Sequence, residues 1–458
     1  MVSKKFVRAA LSSGLLMLAV TPGAASAASK FTRLSDVNGT IAPATALARS
    51  ADGTLHLVYQ TYSGRTLNGM ASMTISAAGK PGPQVQALAG WQPGQPGLVS
   101  FANGALQAYF GAISPGLVSS VWAITSTNGG SSWSAPADVK SGPNESLAYG
   151  SDVTAALTGS TPVLTLPQAG NVVIQQGLGP GSPTFPLTTT ADGATTDATL
   201  AVDAATGAVV AGWYSIANSL TDYLQGAVPA GALQAVPGKP QNLVTPVGRD
   251  SGPGVFAPYS TDGFHVRLLR YGGGSVAVGS VKGLNAKVLG AATSLAGRIW
   301  VMWGTDNGAG VAVTRSNKAV TRFEPIQVVN PNVASIYRVF GDGRLGPLDL
   351  LVDEIENIKG TIPPPGNFYA RVLPVLSASF SVASVKGKNG KVTAHKLTIK
   401  VSDAGDAIAG ATVSVKGKKA KTNSAGVAKV TLPGSSAGFV KVTITDPGYN
   451  VLTKTVKL

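Results

Sequence analysis

One recurring pattern restricts the fold of this chain more than any other feature. Between about residues 38 and 372, a short apolar strand is followed by a turn of Gly, Asp or Asn and then by a second strand rich in aromatic residues. Clear copies cover residues 44–59, 97–110, 198–214 and 291–303, and weaker copies begin near Asp152 and Gly254. Their spacing of about 40 to 55 residues is that of one four-stranded propeller blade. The pattern therefore predicts a β-propeller.

Six copies fit this interval and predict six blades, while a closing segment over residues 333–351 would give seven. The composition also favours an all-β fold, because charged residues make up only 12% of the chain, against roughly 25% in average globular domains. The pattern leaves one alternative open, a pair of β-sandwiches, which also place short strands at regular spacing.

One helix is predicted in this otherwise β-rich region. Leu348, Leu351, Val352 and Ile355 follow one another at helical spacing, which indicates a short helix over about residues 349–358. Three consecutive prolines and a glycine at residues 363–366 would then end any regular element.

The net charge of +15 is concentrated at the C-terminal end of the chain. Residues 374–458 contain 13 lysines, no arginine and three aspartates, which gives a net charge of +10. This segment alternates apolar residues with Lys, Thr and Ser, for example over residues 395–402 and 438–445, as strands of a sandwich with solvated outer faces do. The sequence predicts a propeller over residues 38–372 and a small basic β-sandwich over residues 375–458.

The N-terminus has the features of an export signal. Lys4, Lys5 and Arg8 precede an apolar stretch of residues 9–20, and Ala25-Ser26-Ala27 offers a small-x-small cleavage site. Because the apolar stretch is too short to span a bilayer, a cleaved signal peptide over residues 1–27 is the better interpretation. We expect a secreted protein, extracellular or associated with the cell wall, without a transmembrane anchor after cleavage.

Several kinds of site are excluded or disfavoured by residue counts. The chain contains no cysteine and three histidines, His56, His265 and His395, which are far apart in sequence and lack metal-ligand spacing. Disulfides, thiolate metal sites and cysteine nucleophiles are therefore excluded. We expect no cofactor, no metal and a monomeric protein.

The most specific local motif covers residues 126–136. Ser126, Asn128, Gly130 and Trp133 stand in the order Ser-x-Asx-x-Gly-x-x-Trp. A short Asx side chain can bond nearby backbone amides, a glycine frees the backbone, and a tryptophan ring can pack on the hairpin. The motif resembles the Asp-box of sialidase-type (BNR) propellers, where it is a structural feature on the periphery. A degenerate second copy covers residues 316–325.

The resemblance to sialidases extends to the N-terminal region and fails there at one position. In that family an arginine in a Phe/Tyr-Arg-Ile-Pro run binds the sugar carboxylate. Here Pro43 and the Asp52-Gly53 turn match the pattern, but Ile41 stands in the place of the arginine. Because isoleucine cannot make the bidentate contact of a guanidinium, this difference argues against hydrolysis of sialic acid.

The remaining candidates for chemistry are scattered. Glycoside hydrolysis generally uses two carboxylates about 5 to 9.5 Å apart. The acidic residues near strands or turns are Asp152, Asp197, Asp250 and Asp306, of which Asp152 and Asp197 precede strands of the inner type. We interpret them as turn caps, with a channel-facing role as the alternative. Four arginines that could rebuild an anion site are Arg33, Arg249, Arg267 and Arg338, and tyrosines that are more typical of core or rim positions are Tyr149, Tyr214 and Tyr337.

The C-terminal segment resembles bacterial Ig-like and carboxypeptidase-regulatory-like modules. The resemblance lies in residues 410–417, 422–433 and 446–449, and it implies a non-catalytic spacer or adhesion module. Its lysines could contact anionic cell-wall polymers or glycans. The absence of arginine and of interleaved aromatics argues against nucleic-acid binding.

Two functional hypotheses follow. The first is a secreted, non-catalytic propeller that acts as a binding or scaffold protein at the cell envelope or on extracellular glycans. The alternative is a diverged exo-sialidase or another glycoside hydrolase. The loss of the family arginine and the scarcity of acids and histidines favour the first.

Overall fold

The computed structural model describes a chain that is almost entirely β. The described residues are 31–34, 44–63, 66–116, 118–140, 152–168, 171–178, 182–186, 195–215, 221–228, 230–238, 244–304, 310–330, 336–354, 366–436 and 438–458. Their one helical segment is a 3₁₀ turn at Leu295–Gly297. None of the helices in these residues is long and apolar enough to cross a membrane.

Residues 32–372 form seven four-stranded antiparallel sheets, named sheets 1 to 7. Strand β1 (Thr32–Arg33) belongs to sheet 7. The first three sheets are sheet 1, with β2 (Thr45–Arg49), β3 (Leu55–Ser63), β4 (Thr66–Ile75) and β5 (Val85–Ala89); sheet 2, with β6 (Gly97–Ser100), β7 (Leu106–Ile113), β8 (Ser119–Ser126) and β9 (Ala137–Lys140); and sheet 3, with β10 (Ala155–Thr158), β11 (Thr161–Gln168), β12 (Asn171–Gln176) and β13 (Thr184–Pro186).

The next four sheets complete the set. They are sheet 4, with β14 (Thr195–Val202), β15 (Val209–Ser215), β16 (Thr221–Val228) and β17 (Ala230–Ala235); sheet 5, with β18 (Val247–Gly248), β19 (Val255–Ser260), β20 (Val266–Arg270) and β21 (Ser275–Gly279); sheet 6, with β22 (Val288–Thr293), β23 (Ile299–Gly304), β24 (Val311–Arg315) and β25 (Gln327–Val329); and sheet 7, with β26 (Ile336–Asp342), β27 (Leu348–Glu354) and β28 (Asn367–Val372), to which β1 adds the outer strand.

The seven sheets are arranged in a ring. An apolar cluster fills the interface between each sheet and the next, and one of these clusters joins sheet 7 to sheet 1 through Leu351, Tyr369 and Leu57. The first strands of successive sheets, from β2 to β26, also contact one another. Sheets that pack face to face around a central axis make a β-propeller, and the predicted fold class is confirmed. The blade number stays a prediction, and the seven sheets favour the larger of the two values.

Ring closure uses residues outside the predicted propeller boundary. Thr32 pairs with Tyr369 and Arg33 with Phe368, so that β1 extends sheet 7. The sequence placed the start of the propeller at residue 38, after this strand. A strand of two residues has no periodicity that could reveal it, and only its pairing partner defines it.

The helix expected over residues 349–358 is a strand as far as the structure describes it. Leu348–Glu354 forms β27, and residues 355–358 lie outside the described part. This central strand is covered on both faces, because Leu350 and Val352 pack towards sheet 6 while Leu351 packs towards sheet 1. A strand that is buried on both faces loses the alternation that normally identifies it, so that its apolar residues imitate helical spacing.

The C-terminal residues form two packed sheets, called here the C-terminal module. One sheet contains β29 (Ser377–Lys386), β30 (Val392–Asp403), β31 (Asp406–Ala407) and β34 (Val427–Pro433), and the other contains β32 (Thr412–Val415), β33 (Lys418–Lys421), β35 (Phe439–Thr445) and β36 (Leu452–Lys457). Ile399, Val413, Val430 and Val442 are among the apolar residues between them. The predicted small β-sandwich is therefore present, while its likeness to Ig-type modules stays a prediction.

Candidate functional site

The first strands of the seven sheets surround a central channel with a cavity at each end. One cavity has a volume of about 530 Å³ and the other about 160 Å³. Leu47, Leu98 and Ala155 line both cavities. The channel therefore has an apolar neck between a wide mouth, near the carboxyl ends of the inner strands, and a narrow mouth, near their amino ends.

The wide mouth is lined by charged side chains from several sheets. They are Arg49 of sheet 1, Asp203 after β14, Arg249 and Asp250 after β18, and Arg344 after β26. Cavities of this size can hold a small ligand. What these five residues can do depends on how far each is already engaged by the protein itself.

Arg49 is fully committed to the ring closure between sheets 1 and 7. Its Nε donates to Asp342 Oδ1 at 2.5 Å and its Nη2 to Asp349 Oδ2 at 2.5 Å, while Nη1 donates to the carbonyl of Gly53 at 2.7 Å. Burial lowers the pKa of Arg49, but the two carboxylates outweigh it and the pKa is raised. Its side chain is only 3% exposed, so that it serves as a structural cation.

The two carboxylates of the wide mouth accept backbone amides. Asp203 accepts the N–H of Ala205 at 2.9 Å and that of Gly254 at 2.8 Å. Asp250 accepts the N–H of Ala296 at 2.9 Å and also that of Gly297. Hydrogen bonds of this kind occupy the oxygens of a carboxylate and fix its orientation. Both aspartates therefore act as caps for adjoining loops, as the sequence analysis interpreted Asp250.

The two remaining arginines of the wide mouth differ in their freedom. Arg249 donates to the carbonyls of Gly297 at 2.7 Å, Pro253 at 3.2 Å and Lys318 at 2.5 Å. Its pKa is lowered, first by burial and then by the charge of Arg270, against the opposing effect of nearby aspartates. Arg344 is half exposed, at 50%, and lies 3.3 Å from Asp342. Arg344 is thus the lining cation best able to reach a ligand.

The narrow mouth centres on Arg338. Its Nη2 donates to Asp353 Oδ2 at 2.8 Å and to the carbonyl of Thr45 at 2.8 Å, and its Nη1 donates to Gln95 Oε1 at 3.0 Å. The guanidinium also lies 4.3 Å from the ring centroid of Phe340. Burial raises the pKa of Asp353 to about 6, although Arg338 opposes the shift. Asp353 is therefore a buried titratable group whose charge is coupled to Arg338, a residue that lines the narrow mouth.

Threonines of the narrow mouth join neighbouring sheets. Thr154 Oγ1 donates to the carbonyl of Ala198 at 2.9 Å, and Thr199 Oγ1 donates to the carbonyl of Val244. Each hydroxyl thereby bonds the backbone of the next sheet in the ring. These hydroxyls stabilise the ring and are less available for a ligand.

The predicted Asp-box residues lie away from both cavities, in the hairpin between β8 and β9. Ser126 Oγ accepts the N–H of Gly130 at 2.8 Å, and Asn128 Oδ1 accepts that of Ser132 at 3.0 Å. Trp133 Nε1 donates to Ser72 Oγ of sheet 1 at 3.0 Å. These contacts suit a structural hairpin, and the identification of Ser126, Asn128, Gly130 and Trp133 as an Asp-box stays a prediction.

The degenerate copy forms a related turn. Asn317 Oδ1 accepts the N–H of Thr321 at 2.8 Å and that of Arg322 at 3.2 Å, and Ser316 pairs with Phe323 through an isolated bridge. The backbone of this turn closes without the glycines of the first copy, and Val320 adopts a positive φ of 54° in their place.

The other residues selected from the sequence are not brought together. Arg249 and Arg338 line opposite mouths, while Arg33 contacts Phe368 and Arg267 bonds Tyr259 on sheet 5. Asp152 Oδ1 accepts the backbone N–H of Gln95 at 2.7 Å. The residues selected from the sequence that lie outside the described part are Ile41, Pro43, Tyr149, Asp306 and the side chain of Asp197.

Sequence reasoning missed Arg49 and Arg344 at the wide mouth and Gln95 at the narrow mouth. A local signal for two of them exists, because Arg49 precedes the Asp52-Gly53 turn and Arg344 follows the Asp342-Gly343 turn. Within the described ranges, no group of three or more His, Cys, Asp or Glu side chains is arranged to hold a metal ion.

No family model matches the sequence, and no curated protein matches it. Similar solved structures include a fungal alcohol oxidase of the AA5 family in complex with copper, at 12% identity and a TM-score of 0.46, with 94% of this chain and 100% of that chain covered. Another is the Hadza microbial sialidase Hz136, at 8% identity and a TM-score of 0.43, with 73% of this chain and 66% of that chain covered. A third is the Swd1 β-propeller domain of Myceliophteria thermophila, at 8% identity and a TM-score of 0.43, with 74% of this chain and 99% of that chain covered. With TM-scores below 0.5 these likenesses add nothing to what the sheets and their packing show of the fold.

Proposed function

We propose that the protein is a non-catalytic binding or scaffold protein, exported to the cell envelope, that takes a glycan at the wide mouth of its propeller. The observation that carries this proposal is that the carboxylates at or near the wide mouth are already bonded to groups of the protein itself. Asp203 and Asp250 accept backbone amides, and the nearby Asp342 and Asp349 are paired with Arg49.

A glycoside hydrolase needs one carboxyl group that can donate a proton and a second that acts as base or nucleophile. Asp203 and Asp250 already hold loop amides with their carboxylate oxygens, so that neither is free to serve as acid or base for a substrate. Asp342 and Asp349 hold a buried guanidinium and would leave Arg49 unpaired if they moved. The wide mouth therefore supports binding better than hydrolysis.

The mouth also offers suitable contacts for a sugar. Its neck presents Leu47 and Leu98 to the apolar faces of a ring, and its rim presents the half-exposed Arg344 to hydroxyl or acidic groups. Binding pockets commonly combine an apolar lining with a few polar groups that fix orientation. An acidic sugar would gain most from Arg344.

The binding proposal is tested with a panel of neutral and acidic oligosaccharides and a matching panel of aryl glycosides. We expect binding by calorimetry without release of the aryl group, and about tenfold weaker binding for Arg344→Ala. Arg267→Ala is the matched control, because its guanidinium bonds Tyr259 away from both cavities, and its affinity should equal that of the parent protein. Failure to bind any sugar of the panel would refute the proposal.

The alternative, a diverged glycoside hydrolase, has one observation in its favour. Asp353 next to the narrow mouth has its pKa raised to about 6 by burial, as a general acid requires. If this alternative holds, the aryl glycoside panel will show turnover that Asp353→Asn abolishes while Arg344→Ala does not.

Export is tested separately. The N-terminal charges and the small-x-small site motivate the expectation of cleavage after about Ala27. Mass spectrometry of the protein from culture medium should show a mature chain that begins near residue 28. Retention of residues 1–27 in the cellular fraction would contradict export.

A further inference from the structure

The charges of the C-terminal module are separated between its two ends. The aspartates lie at the end that faces the propeller, where Asp403 pairs with Arg315 at 2.7 Å and Asp406 pairs with Arg298 at 2.7 Å. Asp446, the third, precedes the turn of Tyr449, whose hydroxyl donates to Asp403 at 2.8 Å. The acidic residues of the module are thus gathered at its junction with the propeller.

The opposite end of the module, called here the tip, carries lysines. Strand register places two hairpins there, because Lys386 pairs with Val392 and Val415 pairs with Lys418. The exposed lysines at or beside these hairpins and at the end of β36 are Lys386, Lys388, Lys391, Lys416, Lys418, Lys419 and Lys457. Among the described residues none of these lysine side chains forms an ion pair, and Lys418 Nζ donates to the carbonyl of Thr431 at 2.6 Å.

An apolar side chain projects among these charges. Phe439 begins β35 at the tip, opposite Lys457, and is 71% exposed. Val392, at the start of β30, is also exposed. Exposure of an apolar side chain such as that of Phe439 to water is unfavourable. Apolar side chains next to basic ones are the combination with which interfacial amphipathic segments bind anionic membranes.

We propose that the tip of the C-terminal module docks on the surface of an anionic lipid bilayer, with Phe439 inserted among the headgroups and the lysines facing lipid phosphates. Two features favour a bilayer over a soluble polyanion. The tip is formed by hairpin ends, which can lie against a flat surface. The exposed ring of Phe439 is stabilised by burial in an apolar phase, which a bilayer offers and a soluble polyanion does not. Lysines without arginine provide charge rather than bidentate recognition, as binding to a fluid lipid surface requires.

The proposal goes beyond ligand binding in the propeller and depends on it in no step. Charges attract an anionic surface within about one Debye length, roughly 8 Å at physiological ionic strength. Lys400, near the propeller end of β30, lies about 25 Å from Val392 at the tip, at about 3.3 Å per residue. Lys421 is level with Thr445, about 20 Å from Phe439 on the same scale. Tip lysines should therefore matter far more than the others.

The test is sedimentation of the mature protein with vesicles of phosphatidylcholine alone or with 30–40% phosphatidylglycerol, a mixture of roughly physiological charge. We expect binding only to the anionic vesicles, and weaker binding as salt rises. Because one lysine near such a surface strengthens binding about fivefold, the pair Lys388→Gln and Lys457→Gln should weaken it at least tenfold. The matched pair Lys400→Gln and Lys421→Gln, at the propeller end, should change it less than about twofold.

A second variant separates a bilayer from a soluble polyanion. Phe439→Ser should weaken vesicle binding several-fold while leaving the thermal unfolding of the module unchanged, since the side chain is exposed. The proposal is overturned if anionic vesicles do not bind at low salt, if the two lysine pairs have equal effects, or if Phe439→Ser leaves binding unchanged. If the protein binds dextran sulfate but not vesicles, and Phe439→Ser does not change that affinity, the ligand is a polyanionic polymer instead.

Discussion

Arg315 of sheet 6 and Asp403 of the C-terminal module form a buried ion pair, with 2.7 Å between Nη2 and Oδ2. Glu324 Oε1 lies 3.0 Å from the same Nη2 atom. Burial lowers the pKa of Arg315, but Glu324 and Asp403 outweigh it and the pKa is raised. Burial also raises the pKa of Glu324 well above its usual value, against the opposing effect of Arg315. The propeller and the module thus share one charged network rather than a simple linker.

We expect Asp403→Asn to destabilise the junction strongly. Asp403→Asn takes one carboxylate from Arg315, but Glu324 still lies against that guanidinium. The loss therefore stays below that of an isolated buried pair, and a weakened charged hydrogen bond of this kind costs about 1–3 kcal/mol. The unfolding free energy from denaturant titration should fall by this order. Asp446→Asn changes an aspartate of the same module that is paired with no arginine among the described ion pairs, and it should cost less than about 1 kcal/mol. Equal effects would mean that the network contributes little.

A pH dependence should arise from Asp353. Its pKa is raised by burial to about 6 in the folded protein, against about 4 in an unfolded chain. The folded state then binds a proton that the unfolded state has lost, so that stability is fully present below about pH 4 and falls as pH rises towards about 6. The change is about 3 kcal/mol. Asp353→Asn should remove this part of the stability profile, and an unchanged slope between pH 4 and pH 6 would contradict it.

The hairpin at residues 126–133 should tolerate one substitution and not another. Asn128→Asp keeps the oxygen that accepts the N–H of Ser132, and it should change the unfolding free energy by less than about 0.5 kcal/mol. Asn128→Ala removes that acceptor and should cost about 1–2 kcal/mol. Thermal unfolding of both variants under one condition decides the point, and a larger loss for the aspartate variant would oppose the proposed role.

Gly248 should be intolerant of a side chain. A Cβ at this position would lie 1.9 Å from the carbonyl oxygen of Val202 on the neighbouring sheet, so Gly248→Ala should force the inner strands of sheets 4 and 5 apart. We expect a loss of about 1–3 kcal/mol, as overpacking of an interior costs. Gly274→Ala is the control, since a Cβ there meets nothing within 4 Å. Similar melting temperatures for both variants would show that the contact is not tight.

Local sequence could predict the strands but not all of their boundaries. The turn at Asp52-Gly53 and the strands around it were visible in the copy over residues 44–59, because a half-buried strand alternates and a tight turn needs particular residues. β27 was misread as a helix because both of its faces are buried. β1 was missed because a strand of two residues is too short to show the alternation of apolar and polar side chains. Its place in sheet 7 depends on residues more than 300 positions away.

The sequence by itself determined the β architecture, the position of the basic module and the absence of disulfides, since these follow from periodicity, charge and residue counts. The tertiary structure alone decided what stands at the ends of the channel. Arg49 meets Asp342 and Asp349 across separations of 293 and 300 residues, and Arg338 reaches Gln95 across 243. A local pattern cannot predict such partners. Each sheet forms from a continuous stretch of sequence, whereas ring closure joins side chains of sheets that are far apart in the chain.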